Sequence, residues 1–263
     1  MGPFPHYLTF KNVLISMCLL WVVAVFLNAN WWLYTLILGL GLVISYFGTT
    51  QISSNFHMKA HCSAPQLGKK EIALTFDDGV RHPKQSQQVL DILQQYKVKA
   101  TFFCIGKNLE QAAQVDVLKR MHAEGHLIGN HSYSHSNFYD FFSSKRIREE
   151  TLQTDQIVQQ HIGKTPRFFR PPYGITTPNI AKAFDKLEHH TIGWSLRSLD
   201  TVMTNHHQLL ERVQSKLKSG DIVLLHDHLP LMTTFLPLFL EYILKEGFTI
   251  VGVDQLLGLR AYA

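Results

Sequence analysis

Residues Glu71–Gly79 read EIALTFDDG. An apolar, strand-forming run ends on two adjacent carboxylates and a glycine, which is how a buried strand stops at a turn. Successive strand side chains point to opposite sides, so Asp77 and Asp78 aim in different directions. One can bind a metal while the other stays free to take a proton. An isolated DDG is more often an Asx-turn at a strand end, so the pair gains weight only from its surroundings.

Outward from this stretch, short apolar runs alternate with amphipathic ones. Residues 83–96 place Val89, Ile92, Leu93 and Tyr96 at helical spacing. The pattern then predicts a strand at 99–105, a helix at 109–123, a strand at 126–130 and a polar helix at 143–161. An extended run at 167–170 precedes a helix at 177–187, which has Pro178 in its first turn. A strand at 191–196, a helix at 206–218, the strand DIVLL at 221–225, a helix at 230–246 and a strand at 248–253 complete the chain. Such alternation implies parallel strands joined by helical crossovers. About seven repeats of it predict an α/β fold, a closed or nearly closed β/α barrel rather than an open sheet.

In such barrels the chemistry sits where strands end, and the polar clusters fall there. Asp77-Asp78-Gly79 follows the first strand, His131-Ser-Tyr-Ser-His135 the third, Arg170-Pro-Pro-Tyr-Gly174 the fourth extended run, and His226-Asp227-His228 the strand DIVLL. Asp200 lies just past the strand containing Trp194. Each cluster has a bland reading: HxxxH in a chain with 15 histidines, a proline-rich turn with a surface Arg, a structural histidine. Five ionisable strand ends together exceed what chance places there. One Asp and two His leave open positions on a divalent ion. An Arg stiffened by prolines can hold a nearby carboxylate ionised. A His opposite can protonate a leaving amine.

TFDDG (75–79), HSYSH (131–135), RPPYG (170–174) and LLHD (224–227) occur in that order. Over roughly residues 70–257 the chain resembles the polysaccharide deacetylase family, the NodB-homology domain of carbohydrate esterase family 4. The resemblance implies an incomplete or distorted (β/α) barrel and metal-dependent hydrolysis of an N-acetyl group on an amino-sugar glycan or glycan precursor. By it, Asp78, His131 and His135 bind one divalent ion, commonly zinc. Asp77 matches the general base toward the activated water, Arg170 the residue that positions that base, and His226 the general acid. Asp200 matches the Asp that orients His226. The Tyr173 N–H would stabilise the oxyanion, and Leu224 would line the pocket for the acyl methyl. Three positions depart from the family pattern. Val80 stands where Pro is usual, and Arg197 and Thr201 replace an Asp and a Trp of the fourth motif.

Upstream, residues 12–58 contain no Asp, Glu, Lys or Arg. Two apolar runs, 13–27 and 31–47, are divided by Asn28-Ala29-Asn30. With flanks each nears the roughly 17–25 residues that cross a hydrocarbon core. Trp31, Trp32, Tyr34 and Tyr46 suit interfacial depth. We therefore expect a two-helix transmembrane hairpin (about 12–28 and 31–47) within an anchor of residues 1–48, then a linker at 49–69 and a catalytic domain at 70–259. A signal peptide fits poorly, because it needs one short apolar region rather than two in tandem.

The net charge is +5, with four basic and no acidic residues in 1–70, leaving 21 basic against 20 acidic beyond. That excess sits beside the apolar segment, so membrane topology explains it better than nucleic acid does. The hairpin's turn lacks Lys and Arg, so the positive-inside rule places the domain on the cytoplasmic side, where a lipid-linked amino sugar or glycan precursor is the expected substrate; the external face, with an exported or wall polysaccharide, is the alternative. A composition 46% hydrophobic excludes a disordered chain, and three cysteines exclude a disulfide scaffold. The competing functions are a catalytically degenerate glycan-binding protein of the same fold and a transporter. Two helices without intramembrane charge offer no transport pathway.

Overall fold

The computed structural model describes residues 8–64 and 68–263. At its centre lies strand β1 (Glu71–Gly79). Around it stand β2 (Thr101–Cys104), β3 (Leu127–Asn130), β4 (Phe168–Phe169), β5 (His190–Thr191), β6 (Leu196–Arg197), β7 (Ile222–His226) and β8 (Thr249–Ile250). All paired strands are parallel, in the order β5-β4-β3-β2-β1-β7-β6, with β8 on the first residues of β1. Among the described residues β5 and β6 do not pair with each other, so the sheet curls without closing. The expected incomplete barrel is what forms.

Strand alternation sorts β1 onto two cores. Ile72, Leu74 and Phe76 face outward into a cluster completed by helices α3 (Pro83–Gln95), α4 (Ala112–Ala123) and α8 (Met232–Lys245), with the Phe76 and Phe102 rings stacked at 5.0 Å. Ala73 faces a smaller cluster with Phe103, Phe168, Ile192 and Ile222. Thr75 and Asp77 belong to Ala73's side by the same period of two, and both meet the side chain of Arg170. Between α4 and α8, the surrounding helices α5 (Ser144–Ile162), α6 (Pro178–Phe184) and α7 (His206–Gln214) follow the expected crossovers. The Ser143 hydroxyl caps α5 by accepting the Arg146 N–H, and that of Thr177 caps α6 by accepting the Ile180 N–H.

One expected element divides. Residues 191–196, read as a single strand, form β5 and β6 on opposite edges of the sheet. Two of the residues between them, Ile192 and Gly193, give their carbonyls to a side chain. Arg170 Nε donates to the Ile192 carbonyl at 3.0 Å, and an Arg170 amine nitrogen donates to that of Gly193 at 2.8 Å. A short final helix, α9 (Val253–Leu257), was not legible in the pattern.

Helices α1 (Phe10–Phe26) and α2 (Trp31–Thr50) occupy the two N-terminal apolar runs, with α2 three residues longer at its end than expected. They pack on each other through Val13, Ala24, Ile37 and Gly41, Met17 lying over Gly41. Of the described helices, only α2 is long and apolar enough to cross a membrane by itself.

Residues 49–64, expected within a linker, are folded onto the domain rather than extended. The Ser54 hydroxyl donates to the Gly48 carbonyl at 2.6 Å, and Phe56 packs on Gly48. His61 extends the sheet beside β5, donating to the Thr191 carbonyl and accepting from the Gly193 N–H. The Thr176 N–H, just past RPPYG, donates to the Thr49 carbonyl at 3.1 Å. The last turn of α2 thus touches the loop that follows Arg170.

Candidate active site

Arg170 leaves the end of β4 and runs into the barrel, fully buried. Besides the two carbonyls above, it donates to Thr75 Oγ1 at 2.8 Å and to Asp77 Oδ1 at 2.7 Å. Its guanidinium lies 4.1 Å from the Phe103 ring centre. A planar fork with five donors satisfies all these acceptors at once, which an ammonium would not. Burial is the largest influence on this Arg and lowers its pKa, while the Asp77 charge opposes the shift. Taken by itself RPPYG reads as a proline-rich turn with a surface Arg, whereas the four ordered motifs together imply that Arg170 positions the base. The structure makes it the centre of the site.

Asp78 turns the other way, its backbone at φ 62°. Its Oδ1 lies 3.4 Å from His135 Nε2 and 3.7 Å from His131 Nε2. One ligand atom from each of the three residues lies within 4.8 Å of the others. His131 Nδ1 is 2.7 Å from the Arg170 carbonyl. That contact requires a proton on Nδ1 and leaves the Nε2 lone pair free, which is the tautomer and second contact of a metal-ligating His. Burial, then the neighbouring His135, pushes the His131 pKa down to about 3, so the ring is neutral. The donor set therefore fits a divalent ion.

The loop carrying both histidines is held from behind. Asn130, the last residue of β3, donates to Asp155 Oδ1 at 2.8 Å and to the Thr151 carbonyl at 2.9 Å, while its Oδ1 accepts the Ser132 N–H. Ser134 bonds Glu150. Glu150, Thr151, Thr154 and Asp155 form a buried polar stripe on α5. The sequence pattern predicts only a polar helix over 143–161. The i, i+4 spacing of the stripe was the available signal.

Opposite the triad, His226 ends β7. Its Nδ1 lies 2.9 Å from Asp200 Oδ1, and its backbone N–H donates to Asp200 Oδ2 at 2.7 Å. Burial lowers the His226 pKa, but the Asp200 hydrogen bond and charge, followed by Asp77 and Asp78, outweigh it and raise the value to about 9. Asp227 and His228, of the same HDH run, have other surroundings. Asp227 is fully buried, accepts the Ser86 hydroxyl proton at 2.5 Å, and is pushed up to about 7 chiefly by burial.

Asp77, Asp78, His131, His135, Tyr173, Leu224 and His226 line one cleft of about 230 Å³. Arg170 and Asp200 stand directly behind it, bonded to Asp77 and His226. Every residue to which the family resemblance gives a role is thus brought to one place, while Asp227 and His228 lie outside the cleft lining. Tyr173 has a backbone φ of 60°, its ring sits 4.9 Å from that of His135, and its hydroxyl donates to Asn137. Gly174 and Trp194 also line the cleft, and so do Arg197 and Thr201 at the departures from the fourth motif. Trp194 presses on Gly174 so closely that a Cβ there would lie 2.2 Å from its ring.

A family model described as "Polysaccharide deacetylase" matches residues 64–192. A peptidoglycan-N-acetylglucosamine deacetylase of Bacillus cereus is 34% identical over 64% of this chain, and the chain spans 59% of that relative's length. A chitooligosaccharide deacetylase of Rhizobium leguminosarum is 35% identical over 62% of this chain and 70% of its own. Among solved structures, the Bc1960 peptidoglycan N-acetylglucosamine deacetylase superposes with a TM-score of 0.72 at 30% identity, covering 78% of this chain and 95% of that one. BA3943 of Bacillus anthracis, a family pseudoenzyme, does so with a TM-score of 0.67 at 28% identity, covering 73% and 66%. The fold is thus shared by proteins described as deacetylases and by one described as a pseudoenzyme, so function has to be argued from the site rather than from the fold.

Proposed function

This chain belongs to the polysaccharide deacetylase family, and from that premise we propose that it hydrolyses the N-acetyl group of an amino-sugar glycan or glycan precursor at the membrane surface. The observation that carries the reading is the convergence of five strand ends on one cleft. There Asp78, His131 and His135 form a metal-fit triad, with the Asp77–Arg170 and His226–Asp200 pairs beside and opposite it. Asp78, His131 and His135 would hold a divalent ion, zinc by the family resemblance, which would supply Lewis acidity toward a water and the acetamide carbonyl. Asp77, held by Arg170 through Oδ1, takes the proton of the attacking water at Oδ2, the oxygen that Arg170 leaves free. The Tyr173 N–H is assigned to the developing oxyanion. His226, protonated through Asp200, delivers its Nε2 proton to the departing amine. Leu224 packs against the acetyl methyl.

The degenerate glycan-binding reading loses ground to these residues, because a binding protein has no need of a metal-fit triad with a paired base and acid. The helical pair α1–α2 is read as a membrane anchor. Leu19, Phe26 and Trp31 are 61%, 81% and 77% exposed, a surface that water does not tolerate over two whole helices. The test uses the purified full-length chain in detergent with chitotetraose. Acetate release should vanish with a chelator and return with added zinc or another divalent ion. Absence of acetate release with every divalent metal tried overturns the assignment.

A further inference from the structure

The groove around the site carries more positive charge than a neutral acetamide needs. The catalytic cleft opens past Tyr173 into a second depression of about 460 Å³, and Asp78, His135 and Tyr173 line both. Asp77 and Asp78 are the only carboxylates on their combined walls among the described residues. Both are engaged, Asp77 by Arg170 and Asp78 by the two imidazoles. Three permanent cations stand around them. Arg197 lines the catalytic cleft, while Arg81 and Lys107 line the adjoining one. Arg81 lies 3.8 Å from Asp78. Arg197 and Lys107 are exposed, and among the described residues no carboxylate pairs with either.

Arg197 is more than a solvated surface charge. It stands on β6, in register with Leu224 of the acyl pocket, and its carbonyl accepts from Arg212. The guanidinium is therefore presented from an ordered strand to the mouth of the cleft. Like charges gathered around one groove repel, and an anion arriving there relieves that repulsion. Guanidinium groups suit the paired oxygens of phosphate and carboxylate.

We infer that the groove selects an anionic amino-sugar substrate. Arg197 on one side of the reacting acetamide, and Arg81 with Lys107 on the other, receive phosphate or carboxylate groups carried next to the N-acetyl unit. This inference rests on the deacetylase reading and narrows its substrate class.

The test compares three probes on the full-length chain in detergent. They are neutral chitotetraose, a tetrasaccharide alternating N-acetylglucosamine with carboxylate-bearing N-acetylmuramic acid, and N-acetylglucosamine linked through a diphosphate to a short prenyl alcohol. Values of kcat/KM are measured for each, and dissociation constants are measured after chelation, when no turnover occurs. The wild type should favour at least one anionic probe over the neutral one by about tenfold or more. That preference should collapse toward unity in Arg197→Gln and shrink in Lys107→Gln, in both kcat/KM and binding. Which probe gains identifies carboxylate or diphosphate as the anion. Equal use of all three by the wild type, or a preference unmoved in both variants, overturns the inference. Acetate release without anion preference removes it and leaves the deacetylase standing. Anion binding that depends on Arg197, with no acetate released from any probe, does the reverse.

Discussion

Asp77 and Asp78 are chain neighbours with separate tasks, one facing Arg170 and the other the two histidines. His131→Ala should therefore lose the metal and the activity together, with elemental analysis of the purified protein reading near zero. Asp77→Asn should keep the metal while turnover falls by roughly 10²-fold or more, the scale of general acid–base catalysis. Full metal occupancy in His131→Ala would dismiss the triad. The Asp200–His226 pair makes a pH prediction. His226 titrates at about 9 in the fold against an ordinary 6.5. A raised folded pKa means its contribution to stability is fully present below about 6.5 and is lost as pH rises through about 9. As the acid it must be protonated, so the alkaline limb of kcat should fall near that upper value. Asp200→Asn should move this limb toward 6.5, leaving activity at pH 6 less affected than at pH 8. A limb that does not move would separate Asp200 from the proton donor.

Among the elements, the seam between β5 and β6 depends on one side chain. Arg170 reaches from the end of β4 to β1 and to the backbone between β5 and β6. Arg170→Met removes these bonds and leaves Asp77 buried without its partner. Loss of a buried ionic partner costs about 3–5 kcal/mol, so the urea midpoint should drop accordingly. A change below about 1 kcal/mol would show that the seam holds without the guanidinium. Gly174 is a second constraint at this scale. With φ at 69° and the Trp194 ring 2.2 Å from any added Cβ, Gly174→Ala should displace Trp194 or the RPPYG loop. The expected cost is about 1–3 kcal/mol, together with loss of activity and a shifted tryptophan emission. An unchanged spectrum would mean the loop is not clamped there.

For the whole molecule, the membrane reading places catalysis close to the bilayer, because residues 49–64 are folded against the domain and α2 contacts the loop after RPPYG. Lys11, Lys59 and Lys182 gather in one cleft at that junction, and with the uncharged turn at 28–30 they favour the cytoplasmic face by the positive-inside rule. The protein should stay in the membrane pellet at alkaline carbonate pH at its full-length mass. A C-terminal alkaline phosphatase fusion should be inactive while a C-terminal fluorescent reporter of the cytosol glows. An active phosphatase would place the domain outside, beside peptidoglycan, the substrate named for the Bacillus cereus relative.

Strand β1, the helices around it and the four ordered motifs were legible in the sequence, because apolar periodicity and turn residues are local properties of the chain. So was the pair of opposed carboxylates, which follows from the alternation of strand side chains. The sequence could not show that residues 191–196 split across the sheet, since the cause is a guanidinium arriving from β4. Nor could it show that Arg170 is buried, that residues 49–64 fold onto the domain, or that Arg81, Lys107 and Arg197 share the margins of one groove. Each of these depends on contacts between residues far apart in the chain, whose distances exist only once the sheet has curled.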